Sequence, residues 1–197
     1  MSDMTSSVHN KKQKNTKDIA LELSIIESEL EKLKALNRYD VDMILNAWRF
    51  QVRQLNFFYC NLVNQTQSKH ANDAFFNLSR EPKLYQLIYV HLGRGFPKEL
   101  YDGHWCYYYK NCKTKYLVIP VTSIKSNSSM AQDGLHLDIE ESDGTMCRLR
   151  FDEMRTIDKM RIDERKGYID IKTDCDIINA EIESFLQCDK QIVDKSR

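Results

Sequence analysis

Arg150 and Asp152 stand two residues apart in the stretch CRLRFDEMRTIDKMRID, Cys147 to Asp163. If a strand persists through LRFDEM, both side chains lie on one face, within reach of a single phosphate. A cation beside a carboxylate can hold an anion and move a proton. The same spacing also describes a salt bridge on a solvated face, which is worth little for stability. Thr122 and Ser123, which close the run VIPVTS, add two hydroxyls. Hydroxyls can donate to a ligand or accept from it, although a Thr-Ser pair at a strand end also makes ordinary turn hydrogen bonds. Trp105, Tyr107 and Tyr109 alternate along one run. Exposed, they would form a platform for unstacked bases; buried, they are core.

Other chemistries find little support. The histidines His9, His70, His91, His104 and His136 lack metal-ligand spacing, and no GK[ST] follows the Gly93–Gly95 segment GRG to make a phosphate-cradling loop. The expectation is therefore no metal and no cofactor.

The elements that must position these residues divide the 197-residue chain into three parts. Residues 1–16 are Ser-, Asn- and Lys-rich and read as a disordered basic tail. Residues 17–80 hold two helical seams. Ile19, Leu23, Ile26, Leu30 and Leu33 recur at spacings of four and three, and after the break NRYD the series Val41, Leu45, Trp48, Val52, Leu55, Tyr59 and Leu62 repeats the period, with Asp40 as N-cap. These spacings predict an antiparallel helical hairpin that packs on the rest of the chain or on a second copy, followed by a short helix over 71–78. From 81 to 197 the runs LYQLIYVHLG, HWCYYYK, KYLVIPVTSI, LHLDIE, MCRLRF and GYIDI predict short strands. NCKT joins two of them tightly enough to require an antiparallel hairpin. Ile177, Ile178, Ile182, Phe185 and Leu186 share a face of a closing C-terminal helix. The fold class expected is α+β, a small β-barrel behind a helical hairpin.

The 29 basic and 29 acidic residues cancel, so global charge points to neither nucleic acid nor membrane. The apolar runs are too short or too interrupted to span a bilayer. Six cysteines without a CxxC pair, and an N-terminus lacking a signal peptide's apolar core, predict reduced thiols in a cytoplasm.

Three segments in order, YVHLGRGFPKELYDG, KYLVIPVTS and LRFDEMRTIDKMRI, resemble the MazF/PemK family of RNA-cleaving toxins over about residues 84–188. The resemblance implies an SH3-like barrel, usually a homodimer, that cleaves single-stranded RNA without metal and is silenced by a partner antitoxin. It implies Asp152 as general base and Arg150 as acid or as stabiliser of the phosphorane. Arginine's high pKa favours charge stabilisation. Thr122 and Ser123 match family hydroxyls at the scissile phosphate or ribose, whereas Arg155, Asp158, Lys159 and Arg161 match a structural strand end and turn.

The pattern departs from the family at the second strand. Where members place an Arg after the loop's closing Gly, DGHWCYYY has Trp105, with Cys106 in the place of Pro. The family's loop His corresponds to Lys98 in PKEL. His104 could replace either lost group, with Arg94 and Lys98 supplying loop charge. Three readings follow. One is an active toxin-type endoribonuclease, another an impaired barrel that only binds nucleic acid or protein, and the third a scaffold working through its hairpin. The acidic first helix would suit a built-in inhibitor of the RNA groove.

Overall fold

Proline cannot donate to a strand ladder, and Pro120 sits inside the longest apolar run of the chain. In the computed structural model, which describes residues 18–187, that run is strand β3, Lys115–Ser123, following β1, Leu87–His91, and β2, Gly103–Cys112. The others are β4, His136–Glu140; β5, Met146–Arg150; β6, Arg155–Asp158; and β7, Tyr168–Ile169. Every pairing between them is antiparallel, in the order β4-β5-β3-β2-β1-β7, with β6 also on β3. The result is a curled antiparallel sheet with helices, a mixed α and β architecture.

One edge of β3 meets β2 through the tight NCKT connection, where Lys113 adopts a positive φ of 68°. The other edge changes partner. Lys115–Val118 pair with β6, and Val121–Ser123 pair with β5. Pro120 lies in the gap between them.

Side-chain alternation builds apolar clusters on both faces of the central strands. On one, Leu87, Tyr107, Ile119, Val121, Leu149 and Phe151 pack with Ile178 and Ile182 of α3, Cys175–Gln187. On the other, Ile88, Val90, Cys106, Tyr108, Tyr116 and Val118 pack with Ile157 and Ile162. The closing helix is narrower in use than its sequence face: Ile178 and Ile182 are buried, while Ile177 and Leu186 are exposed.

The described chain divides into two compact units at Leu45–Asn46, within α2. In the first unit, α1 spans Ile19–Ala35 and is capped by Asp18, which accepts from Ala20 N at 2.9 Å. The start of α2, Val41–Phe57, is capped by Asp40, which accepts from Met43 N at 3.2 Å. None of α1 is buried. Ile19, Leu23, Ile26 and Leu33 of its expected seam are exposed, as are Leu45, Trp48, Val52, Leu55 and Tyr59 of the second. The spacing predicts the helices correctly, and most of the residues it picks out are exposed. In the second unit α2 runs on into a π-helical stretch, Phe58–Val63, and its Phe50 ring lies 4.5 Å from that of His91. The short helix expected over 71–78 is a single 3-10 turn, Ala71–Asp73, whose cap at Ala74 is extended. The basic tail expected over 1–16 lies outside the described residues. No helix among them is long and apolar enough to cross a membrane.

Phe151 is fully buried, with its ring 5.8 Å from Phe185 of α3. Phe151→Ala should therefore lower unfolding free energy by about 3–5 kcal/mol in a urea titration. Ile177→Ala, at an exposed position of the same helix layer, should change it by under about 0.5 kcal/mol.

Candidate functional site

The break in the β3 ladder creates the turn that carries Asp152. Between the pairs Val121↔Leu149 and Val118↔Arg155, six residue steps run opposite three on β3. The excess leaves the sheet as a 3-10 turn, Phe151–Glu153. Phe151 turns into the core and donates its N–H to Leu135 O at 2.9 Å. Glu153 is also buried. It accepts from Leu100 N at 3.1 Å and from the Arg155 guanidinium, which ties the loop between β1 and β2 to the turn. Asp152, between these anchors, points outward.

Arg150 and Asp152 do come together, though not by the expected route. The strand ends at Arg150, so the two residues do not share a strand face; the turn folds Asp152 back instead. Arg150 Nε donates to Asp152 Oδ1 at 3.0 Å and Nη2 donates to Oδ2 at 2.7 Å. Partial burial pushes the Asp152 carboxyl up, but the two bonds and charge of Arg150 outweigh it and leave the group below its ordinary value. Asp152 in turn raises Arg150, against the effect of burial. The pair is geometrically specific, and in this state its carboxylate is a weak base.

A histidine completes the cluster. His136 on β4 is the register partner of Arg150. Its Nδ1 accepts from Gln132 N at 3.3 Å, and its Nε2 lies 3.8 Å from Asp152 Oδ1. Burial, then the charge of Arg150, lowers the ring's pKa below the ordinary 6.5, against the opposing pull of Asp152. The ring is neutral near pH 7, and the bond at Nδ1 places its proton on Nε2. That atom is buried and makes no hydrogen bond among the described residues.

Two residues along β5, Arg148 is fully committed. Its Nε and Nη2 donate to Asp138 at 2.6 and 3.0 Å, and its Nη1 donates to Ser129 O at 2.7 Å. It ties the segment after β3 to the sheet.

Alternation sorts the remaining candidates. Cys106 pairs with Pro120 and Thr122 pairs with Arg148, so His104 and Thr122 share a sheet face with Arg148 and Arg150. Ser123 pairs with Cys147 and Trp105 precedes the buried Cys106, so both belong to the opposite face. Trp105 packs against the core and meets Tyr89 edge to face at 5.5 Å, and Tyr107 is fully buried. Of the alternating aromatics, Tyr107 is core, while Trp105 and Tyr109 are half-buried and pack against it. Lys98 is exposed on the loop that Glu153 anchors at Leu100. Asp174, Cys175 and Asp176 bring three potential ligand atoms within 4.8 Å. Asp174 accepts from Asp176 N at 2.9 Å as the cap of α3, which accounts for the group without a metal.

His136 and Arg148 are absent from the candidates that sequence reasoning assembles. The available signal was alternation: His136 and Asp138 are the polar positions of HLDI, as Arg148 and Arg150 are of CRLR. Neither the models of known protein families nor curated protein sequences give a significant match to this chain.

His136 and His91 are both lowered by burial from an ordinary 6.5. The unfolded chain therefore takes up protons that the folded chain resists, and stability falls as pH drops through 6.5 toward the folded values. Asp152, depressed from 3.8, acts only in the more acid window. Urea midpoints measured from about pH 7.5 to about pH 5.5 should fall less for His136→Gln than for the parent protein.

Proposed function

We propose that this chain is a metal-independent endoribonuclease of the MazF/PemK type, acting on single-stranded RNA as the toxin of a toxin–antitoxin pair. The observation that carries this reading is the bidentate Arg150–Asp152 pair at the end of a sheet face that also bears Thr122 and His104. Family resemblance contributes the remainder: an SH3-like identity for the curled sheet, a homodimer, a cytoplasmic location and a cognate antitoxin that occupies the RNA groove.

The chemistry follows from the groups present. Asp152 takes the proton of a 2′-OH, O2′ attacks the adjacent phosphorus, and the P–O5′ bond breaks to leave a 2′,3′-cyclic phosphate and a 5′-OH. Arg150 stabilises the charge that grows on the non-bridging oxygens. Because Asp152 raises the guanidinium's already high pKa, Arg150 acts through its charge, and the departing O5′ draws its proton from solvent. Thr122 donates to phosphate from the same face. Lys98 and His104 supply the loop-side contacts, and backbone alternation leaves Ser123 a secondary place.

A second reading, a barrel that binds RNA or protein without cutting, is favoured by one observation. Trp105 stands where the family has a phosphate-binding Arg, and its ring is used for packing. Incubation of mixed single-stranded RNA with the full chain in EDTA separates the two. The enzyme reading expects cleavage that falls by roughly 10²- to 10⁴-fold in Asp152→Ala and Arg150→Ala. RNA binding without cleavage by the parent protein would select the binding module.

A further inference from the structure

We propose that His136 is a positioning residue for Asp152: when an RNA phosphate draws Arg150 off the carboxylate, Asp152 turns onto the Nε2–H of His136, and the exchange makes Asp152 the stronger base. This inference rests on the endoribonuclease reading above and names the device that activates its base.

Three observations point to it. First, the tautomer is set, because Gln132 N occupies Nδ1 and leaves the ring proton on Nε2. Second, that N–H is buried without an acceptor among the described residues, yet lies 3.8 Å from Asp152 Oδ1. Closing to hydrogen-bond distance requires a movement of about 1 Å. Third, the carboxylate rides on a turn outside the ladder and is a third exposed, so it can rotate without breaking strand pairing.

The charges around the ring set the sense of the exchange. Arg150 and Arg148 face it from β5, Asp152 from the turn and Asp138 from β4 itself. Arg148 is held by Asp138 and Ser129 and does not follow a ligand. Among the described residues the Arg150 guanidinium hydrogen-bonds to Asp152 alone, and a phosphate offers the same two-oxygen geometry. Once Arg150 moves to phosphate, a neutral N–H replaces a cation beside Asp152. A carboxylate so released recovers basicity while keeping a donor that fixes its orientation. No covalent bond is made or broken in the step. A cation changes anion, and a hydrogen bond forms in the space it leaves.

The test has two arms, both on the full chain. In ¹⁵N-labelled protein without RNA, Arg150→Met should shift the His136 Nε2–H resonance downfield, because Asp152 is left to His136 alone. If the variant does not fold, Arg150→Lys keeps the charge but loses the two-point grip, and should give the same change at smaller size. An unchanged His136 spectrum in a folded variant overturns the inference whether or not the protein cuts RNA. In the second arm, His136→Leu should lose roughly tenfold in kcat at little change in KM. It should also move the acid limb of the kcat profile to higher pH, since Asp152 then lacks a donor, and His136→Gln should restore both. A loss of thermal stability with the acid limb in place would mark a merely structural ring and overturn the inference. If the parent protein cuts nothing, the endoribonuclease reading fails, and the spectroscopic arm still decides whether Asp152 exchanges partners.

Discussion

A strand that must serve two partners along one edge, with a residue that cannot donate between them, shapes this fold. β3 keeps β2 on one side from Lys115 to Pro120, and on the other it changes from β6 to β5 across Ile119 and Pro120. A continuous ladder there would ask Pro120 for an N–H it does not have. The neighbouring stretch instead leaves the sheet for four residues, and the three of its 3-10 turn each have a separate task. Phe151 enters the core under α3, Glu153 fastens the β1–β2 loop, and Asp152 faces outward. Core, loop and candidate site therefore share one cause.

The same sheet face changes character along its length. At Tyr116 and Val118 it is an apolar cluster closed by Ile157 and Ile162. Beyond Pro120 it carries Thr122, Arg148, Arg150, His136 and Asp138. Polar groups so close to a core must be satisfied or positioned for use. Arg148 illustrates the first outcome, with three donor nitrogens on Asp138 and Ser129 and its side chain 9% exposed. Arg150 differs: its side chain is 26% exposed and its two hydrogen bonds go to one carboxylate on a turn. Two arginines at alternate positions of one strand thus do different work. Burial and number of partners separate them, which residue type cannot.

What could be read from sequence was what depends on local pattern. Period-two apolar runs located six of the seven strands, and NCKT its hairpin, because turn chemistry and strand propensity act over a few residues. The RTID strand reads in sequence only as a strand end. The two N-terminal helices and the Asp40 cap were likewise legible. Their seams were not, since a 3-4 spacing states what a helix offers and not what covers it. Arg150 and Asp152 are legible for a partly mistaken reason: the RxD pattern suggests one strand face, whereas a 3-10 turn joins them. His136 was hidden because its relevance is a matter of register. It lies 14 positions from Arg150 in the chain and directly opposite it in the sheet. Trp105 fits base platform or core by its spacing, and its packing against the core is visible only in the fold.

The strength of the Arg150–Asp152 pair bears on whether it can act. A partly exposed ion pair of this kind is worth roughly 0–1 kcal/mol net, far less than its geometry suggests, because water solvates both partners well when they separate. A phosphate that approaches Arg150 competes against that small margin and offers a similar pair of oxygens. By contrast, taking Arg148 from Asp138 and Ser129 would strand a buried cation and break the tie to the segment after β3. Sites that exchange partners must be built from interactions cheap to open, on a frame that is costly to disturb. In this chain the frame is the paired sheet with Phe151 and Glu153 locked beneath it, and the cheap interaction is the outward residue between them.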